Sequence, residues 1–182
     1  RAAILTLALS SLLVRGGERL ALLGSGISPM SGRAVLERFA ASFTRTEAAT
    51  DSLPEPEPLP RYGRVVLVSD FLSPPDDVRK ALQRLNGLGI MGHLLQVIDP
   101  AEETLPFSGR VRFEGLEGEG AALIGRVEAV RNDYMDLMRH HRASIRDIAR
   151  SLGWTLTTHS TDQPPATALL ARYQLLSETP GS

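Results

Sequence analysis

Cysteine is absent from the 182 residues. That excludes a disulfide framework, a thiolate zinc site and a cysteine nucleophile, and it fits a cytoplasmic setting. Aromatic residues make up only 5% of the chain, so a core has to be assembled from Leu, Val, Ile and Ala. Lysine occurs once, at Lys80, and basic and acidic residues nearly cancel at 20 against 21. This balance lacks the electrostatic footprint of a nucleic-acid binder. The apolar opening run, Ala2 to Val14, is too short to span a bilayer and no small-residue cleavage site follows it, so it reads as a buried helix. Three phosphate and nucleophile signatures are also missing: Gly-x-Gly-x-x-Gly after a strand, a Walker lysine, and a Gly-x-Ser-x-Gly elbow. Because Arg1, not Met, comes first, the chain is expected to be a fragment or a processed product.

The stretch that stands out is Arg64-Val65-Val66-Leu67-Val68-Ser69-Asp70-Phe71. Four aliphatic residues in a row predict a strand buried on both faces, as in a parallel sheet covered by helices. The strand ends in Ser69-Asp70, where open α/β sheets collect ligands. An aspartate beside a hydroxyl there can help to hold a hard cation such as Mg²⁺, or it can simply cap the next helix. A second strand, Gly92 to Ile98, also ends in an aspartate, Asp99. Two helix-separated strands of this kind look like successive βα units of one sheet.

Around these strands the pattern predicts helices over 2–14, 33–43, 74–88, 126–152 and 165–176, and further strands over 19–23 and 154–159. The apolar face of the longest helix is drawn from Val127, Val130, Tyr134, Leu137, Met138, Ile145, Ile148 and Leu152. The loop Gly24 to Gly32 is rich in glycine and serine. Segment 44–62, with its Leu53-Pro54-Glu55-Pro56-Glu57-Pro58 core, reads as a mobile proline and glutamate linker. Residues 108–125 read as a hairpin insertion with an acidic tip. His140 and His141 are adjacent on a helix and point in different directions, so they share no metal-binding face. His159, near Asp162, is the better candidate for acid–base chemistry.

The Ser69-Asp70-Phe71 strand end, the Asp99-Pro100-Ala101-Glu102 segment, the flap after it and the long helix with Tyr134 and His141 together resemble one family, domain of unknown function fifty-eight. The resemblance covers the whole chain. It implies a single α/β domain over 1–182: a doubly wound, mostly parallel sheet flanked by helices, similar to the von Willebrand factor type A domain. It further implies a bacterial protein-binding module that works with a MoxR-type AAA+ ATPase in assembly or chaperone-like activity, not an enzyme. Domains of that type hold Mg²⁺ at a metal-ion-dependent adhesion site, of which Asp70 matches one ligand. Ser28 or Ser31 stands where the family's threonine falls near Pro29, so the site is degenerate. The first loop and its strand would lie upstream of Arg1. A sheet without that strand favours strand exchange or a homo-oligomer. The alternative is a metal-dependent hydrolase or phosphotransferase using Asp70 and Asp99.

Overall fold

The computed structural model describes residues 1–26, 28–45, 59–60, 63–114 and 121–166. Most of the 44–62 linker, the acidic tip of the hairpin and all but the first two residues of the predicted 165–176 helix lie outside these residues. Within them the order is α1 (Ala2–Arg15), α2 (Arg33–Arg45), β1 (Arg64–Ser69), α3 (Pro75–Gly87), β2 (Met91–Ile98), α4 (Pro100–Thr104), β3 (Val111–Glu114), β4 (Ala121–Ile124), α5 (Val127–Ser151) and β5 (Thr155–Ser160).

Strands β1, β2 and β5 form one sheet in the order β1-β2-β5, and both pairings are parallel. Alternate residues of each strand face opposite sides. Val65, Leu67, Leu94 and Leu156 point to the side where α3 and α5 pack with Phe71, Val78, Leu82, Leu85, Ile145, Ile148 and Trp154. On the other side α1 packs against β1 and α2, burying Leu5 and Leu9. The mixed α/β reading, with a parallel sheet flanked by helices, therefore holds. Among the described residues, no helix is long and apolar enough to cross a membrane.

Three expectations change. The opening helix is not buried all round: Leu5, Leu9 and Ser10 are buried, while Ile4 is 59% exposed. The most buried strand is β2, in the middle of the three, where Gly92 through Gln96 are all buried. β1 lies at the edge of the described sheet, and its aliphatic residues are only half-buried. An unbroken aliphatic run signals a strand, but it does not say which neighbours the strand has. The expected strand at 19–23 is instead a single antiparallel bridge, Leu20 to Met30, closed by hydrogen bonds of 2.7 and 2.8 Å. Gly24 and Gly26, at φ 81° and 64°, turn the chain back on itself before the run can extend.

α4 was not foreseen, although its signal is in the sequence. Asp99 is its N-cap, Pro100 occupies the first helical position, and Glu102 completes a capping box. The expected hairpin is present as β3–β4, antiparallel with Val111 opposite Ile124.

Candidate functional site at the carboxyl ends of the strands

Because the three strands are parallel, Asp70, Asp99 and Thr161 follow strand ends on the same edge of the sheet. The turn after β1 is held from several directions. The Ser69 hydroxyl accepts from the Phe71 amide at 3.1 Å, and Asp70 Oδ1 accepts from the Leu72 amide at 3.1 Å. Gln96, which is 1% exposed, donates its side-chain amide to the Asp70 carbonyl at 2.9 Å. His141 on α5 reaches the Phe71 carbonyl at 2.7 Å. A carbonyl only accepts, so His141 Nε2 carries a proton in this contact.

Phe71 itself sits in the left-handed region at φ 55° with its ring buried in the core. A non-glycine residue there is disfavoured by roughly 1–2 kcal/mol, and the ring's burial together with the bonds on both sides offsets that cost. The outcome is an exposed carboxylate, Asp70, on a turn that has little freedom to move.

The other sequence-chosen residues fare differently. Ser28 and Ser31 are exposed on the loop between α1 and α2, and no hydrogen bond among the described residues joins either to Asp70. Asp99 is fully engaged: Oδ1 accepts from the Ala101 amide at 2.9 Å, and Oδ2 from the Thr161 hydroxyl at 2.9 Å. These two bonds, the Ala101 amide first, hold its carboxyl below the usual carboxylate range. Its work here is to cap α4 and tie it to the end of β5.

The sign of the resulting pH effect follows. The folded-state pKa lies below the unfolded one, so the stabilisation is complete above about pH 4, the unfolded value. It is lost as the pH falls through the depressed folded value. Wild type should therefore lose more of its urea midpoint between pH 5 and pH 3 than Asp99→Asn, which keeps the Oδ1 acceptor but does not titrate. Parallel pH curves for the two proteins would refute this account of the cap.

His159 is buried, with Nε2 unpartnered among the described residues. Burial, and secondarily the charge of Arg1, lower its pKa, while Asp162 acts in the opposite direction. It is an enclosed imidazole held toward its neutral form, not the surface acid–base pair expected with Asp162. His140 bonds the Asp136 carbonyl of its own helix at 2.8 Å while His141 crosses to Phe71, so the two histidines do point apart. The positioning roles of Gln96 and His141 were not foreseen. In the sequence His141 stands out only as half of an adjacent histidine pair and as a family feature, and Gln96 gives a faint signal as one of two polar residues, with His93, in a largely apolar strand.

The comparisons with known proteins add the following. The family described as "Protein of unknown function DUF58" matches residues 1–144. No curated protein matches the chain. A solved structure titled "Crystal Structure of Uncharacterized Membrane Spanning Protein from Vibrio fischeri" is similar at 11% identity over 87% of this chain, with a TM-score of 0.29. At that score the likeness carries no argument. The chain spans 62% of that protein's length.

Proposed function

Because the chain belongs to the family of proteins of unknown function DUF58, we propose that it is a von Willebrand type A-like, non-enzymatic protein-binding module whose contact point is Asp70. The observation that supports this reading is the fixed turn after β1. It presents one exposed carboxylate at the carboxyl edge of a parallel sheet, where such sheets place their ligands. A group held this rigidly loses little entropy on binding, so its charge goes into the contact. The proposed partner is a MoxR-type AAA+ ATPase, as the family resemblance implies.

A hard cation takes six or more oxygen ligands. Among the described residues no group of three His, Asp or Glu side chains gathers in a way that would hold one. Asp70 contributes a single carboxylate. These residues do not fit a self-sufficient Mg²⁺ site, and Ser28 and Ser31 enter the proposal only if the ion is shared with oxygens of the partner.

The test is a titration of the purified protein with a MoxR-type ATPase of the same source, followed by anisotropy, in Mg²⁺ and in EDTA. Asp70→Ala should weaken binding at least tenfold, about 1.4 kcal/mol, with an unchanged circular dichroism spectrum. Loss of binding in EDTA would favour the shared ion, and equal binding would leave a direct charge contact. Wild-type affinity in Asp70→Ala would sink the assignment of this turn.

A further inference from the structure

The long helix α5 does not behave as its periodicity suggests. Its carboxyl-terminal half buries Ile145, Ile148 and Ala149 against the sheet. In its amino-terminal half Val127 is fully buried, but further along the same stripe Val130 is 37% and Leu137 66% exposed. Phe107, at 40%, and Leu123, at 57%, are exposed on the neighbouring hairpin region. Between α4, the hairpin and α5 lies a cavity of about 560 Å³ lined by Leu105, Phe107, Phe113, Ile124, Val130 and Tyr134, with Asp99 and Glu102 at its polar end.

The walls are pre-formed. Phe107 and Phe113 meet edge to face at 5.6 Å. Arg131 donates from Nε to the Leu105 carbonyl at 3.1 Å and from Nη2 to the Phe107 carbonyl at 2.7 Å. The Gly109 amide donates to Glu128 at 2.7 Å, and the Val127 amide to the Gly109 carbonyl at 3.1 Å, which anchors the base of the hairpin to the start of α5.

The charges around the groove are not equivalent. Arg131 is engaged with backbone carbonyls, and Arg142 is paired with Glu103. The Asp99 carboxylate is taken up by the α4 cap and Thr161. Glu102 has one oxygen committed, as Oε2 accepts the Asp99 amide at 3.3 Å, and among the described residues its other oxygen has no hydrogen-bond partner. Its field reaches Tyr134, whose pKa is raised first by burial and then by Glu102, with Arg142 opposing.

We infer that this groove binds a short segment of a partner protein in which apolar side chains sit next to a lysine or arginine. The apolar side chains fill the space between Phe107, Phe113 and Val130, and the cation pairs with Glu102. Apolar grooves that take up the apolar side chains of a partner segment are a recurring mode of peptide recognition. The surface is separate from the Asp70 turn, so each can fail without the other.

The test uses three labelled probe peptides followed by anisotropy: Lys-Leu-Phe-Leu-Lys, its acidic counterpart Glu-Leu-Phe-Leu-Glu, and the polar Lys-Ser-Ser-Ser-Lys. The first should bind, and the other two at least tenfold more weakly. Val130→Asp and Glu102→Gln, both at sites reached by solvent, should each weaken the first peptide by tenfold or more, while Asp70→Ala should leave it unchanged. Failure of the basic apolar peptide to bind folded wild type, or equal binding by Val130→Asp, overturns the inference. So does a dimer that Val130→Asp dissociates in sedimentation, because a second copy would then be the occupant. Binding that emerges only when Leu169 and Leu170 are changed to Asp would give the groove to the chain's own end, and would overturn it as well.

Discussion

Gly92→Ala should destabilise this protein by about 3–5 kcal/mol, comparable to losing a buried tryptophan outright. Gly92 lies in β2, next to the backbone that runs from Trp154 into β5. The Trp154 ring folds back over position 92, and a Cβ there would come within 1.8 Å of its Cε3 and 2.0 Å of its Cδ2. The ring cannot step aside cheaply. It is 4% exposed, belongs to the main core, and donates its indole N–H to Asn86 at 3.1 Å. The backbone before it is fixed as well, through the Trp154 amide to the Ala149 carbonyl at 2.9 Å.

Adding one methyl group therefore either expels the indole or pushes β2 and β5 apart. Domains of ordinary stability have only about 5–15 kcal/mol in total, so the urea midpoint should fall by roughly 2 M at a typical slope. The stronger check is a double-mutant cycle. Once Trp154→Ala has removed the ring, Gly92→Ala should cost little more than a strand glycine replacement normally does. Additive effects of the two changes would show that the clash is not the cause.

Gly92 also shows where reading the sequence stops. The apolar run places the second strand over 92–98, and nothing next to Gly92 says why a glycine opens it. The strand runs from Met91, and the glycine is there because an aromatic ring 62 residues later occupies its side-chain space. Local features were legible. The helices at 2–15, 33–45, 75–87 and 127–151 follow from periodicity and from proline and glycine at their ends, and the parallel β1-β2 pair follows from two aliphatic strands joined through a helix.

What was not legible depends on contacts across the chain. Nothing near Val65 reveals that its strand lies at an edge of the described sheet. No local feature shows that Asp99 is taken up by Thr161. The aliphatic stripe of α5 could not disclose that Val130 and Leu137 within it stay exposed. Of the candidate site, Asp70 at a strand end was legible because a polar residue ending an aliphatic run is a local pattern. Gln96 and His141 hold that turn through bonds that span 26 and 70 residues of chain, and such partners leave no periodic trace.

The same turn gives the second large effect. Phe71→Ala should cost about 3–5 kcal/mol, because a buried aromatic side chain leaves a cavity that the surroundings fill only in part. The informative comparison is Phe71→Gly. At an ordinary position glycine is worse than alanine by roughly 0.5–1 kcal/mol through backbone entropy. At φ 55° alanine retains the steric penalty of the left-handed region, roughly 1–2 kcal/mol, and glycine does not. The order should reverse, so Phe71→Gly should be at least as stable as Phe71→Ala. If alanine is clearly the better replacement, the turn is not strained as described. Both variants should also loosen the loop that presents Asp70, since the ring is what anchors it beneath α5. Hydrogen exchange at the Leu72 amide, which is held by Asp70 Oδ1, should accelerate in both. Affinity for the partner should fall although Asp70 is intact. If exchange accelerates but affinity stays at the wild-type level, the contact needs the carboxylate and not its fixed position.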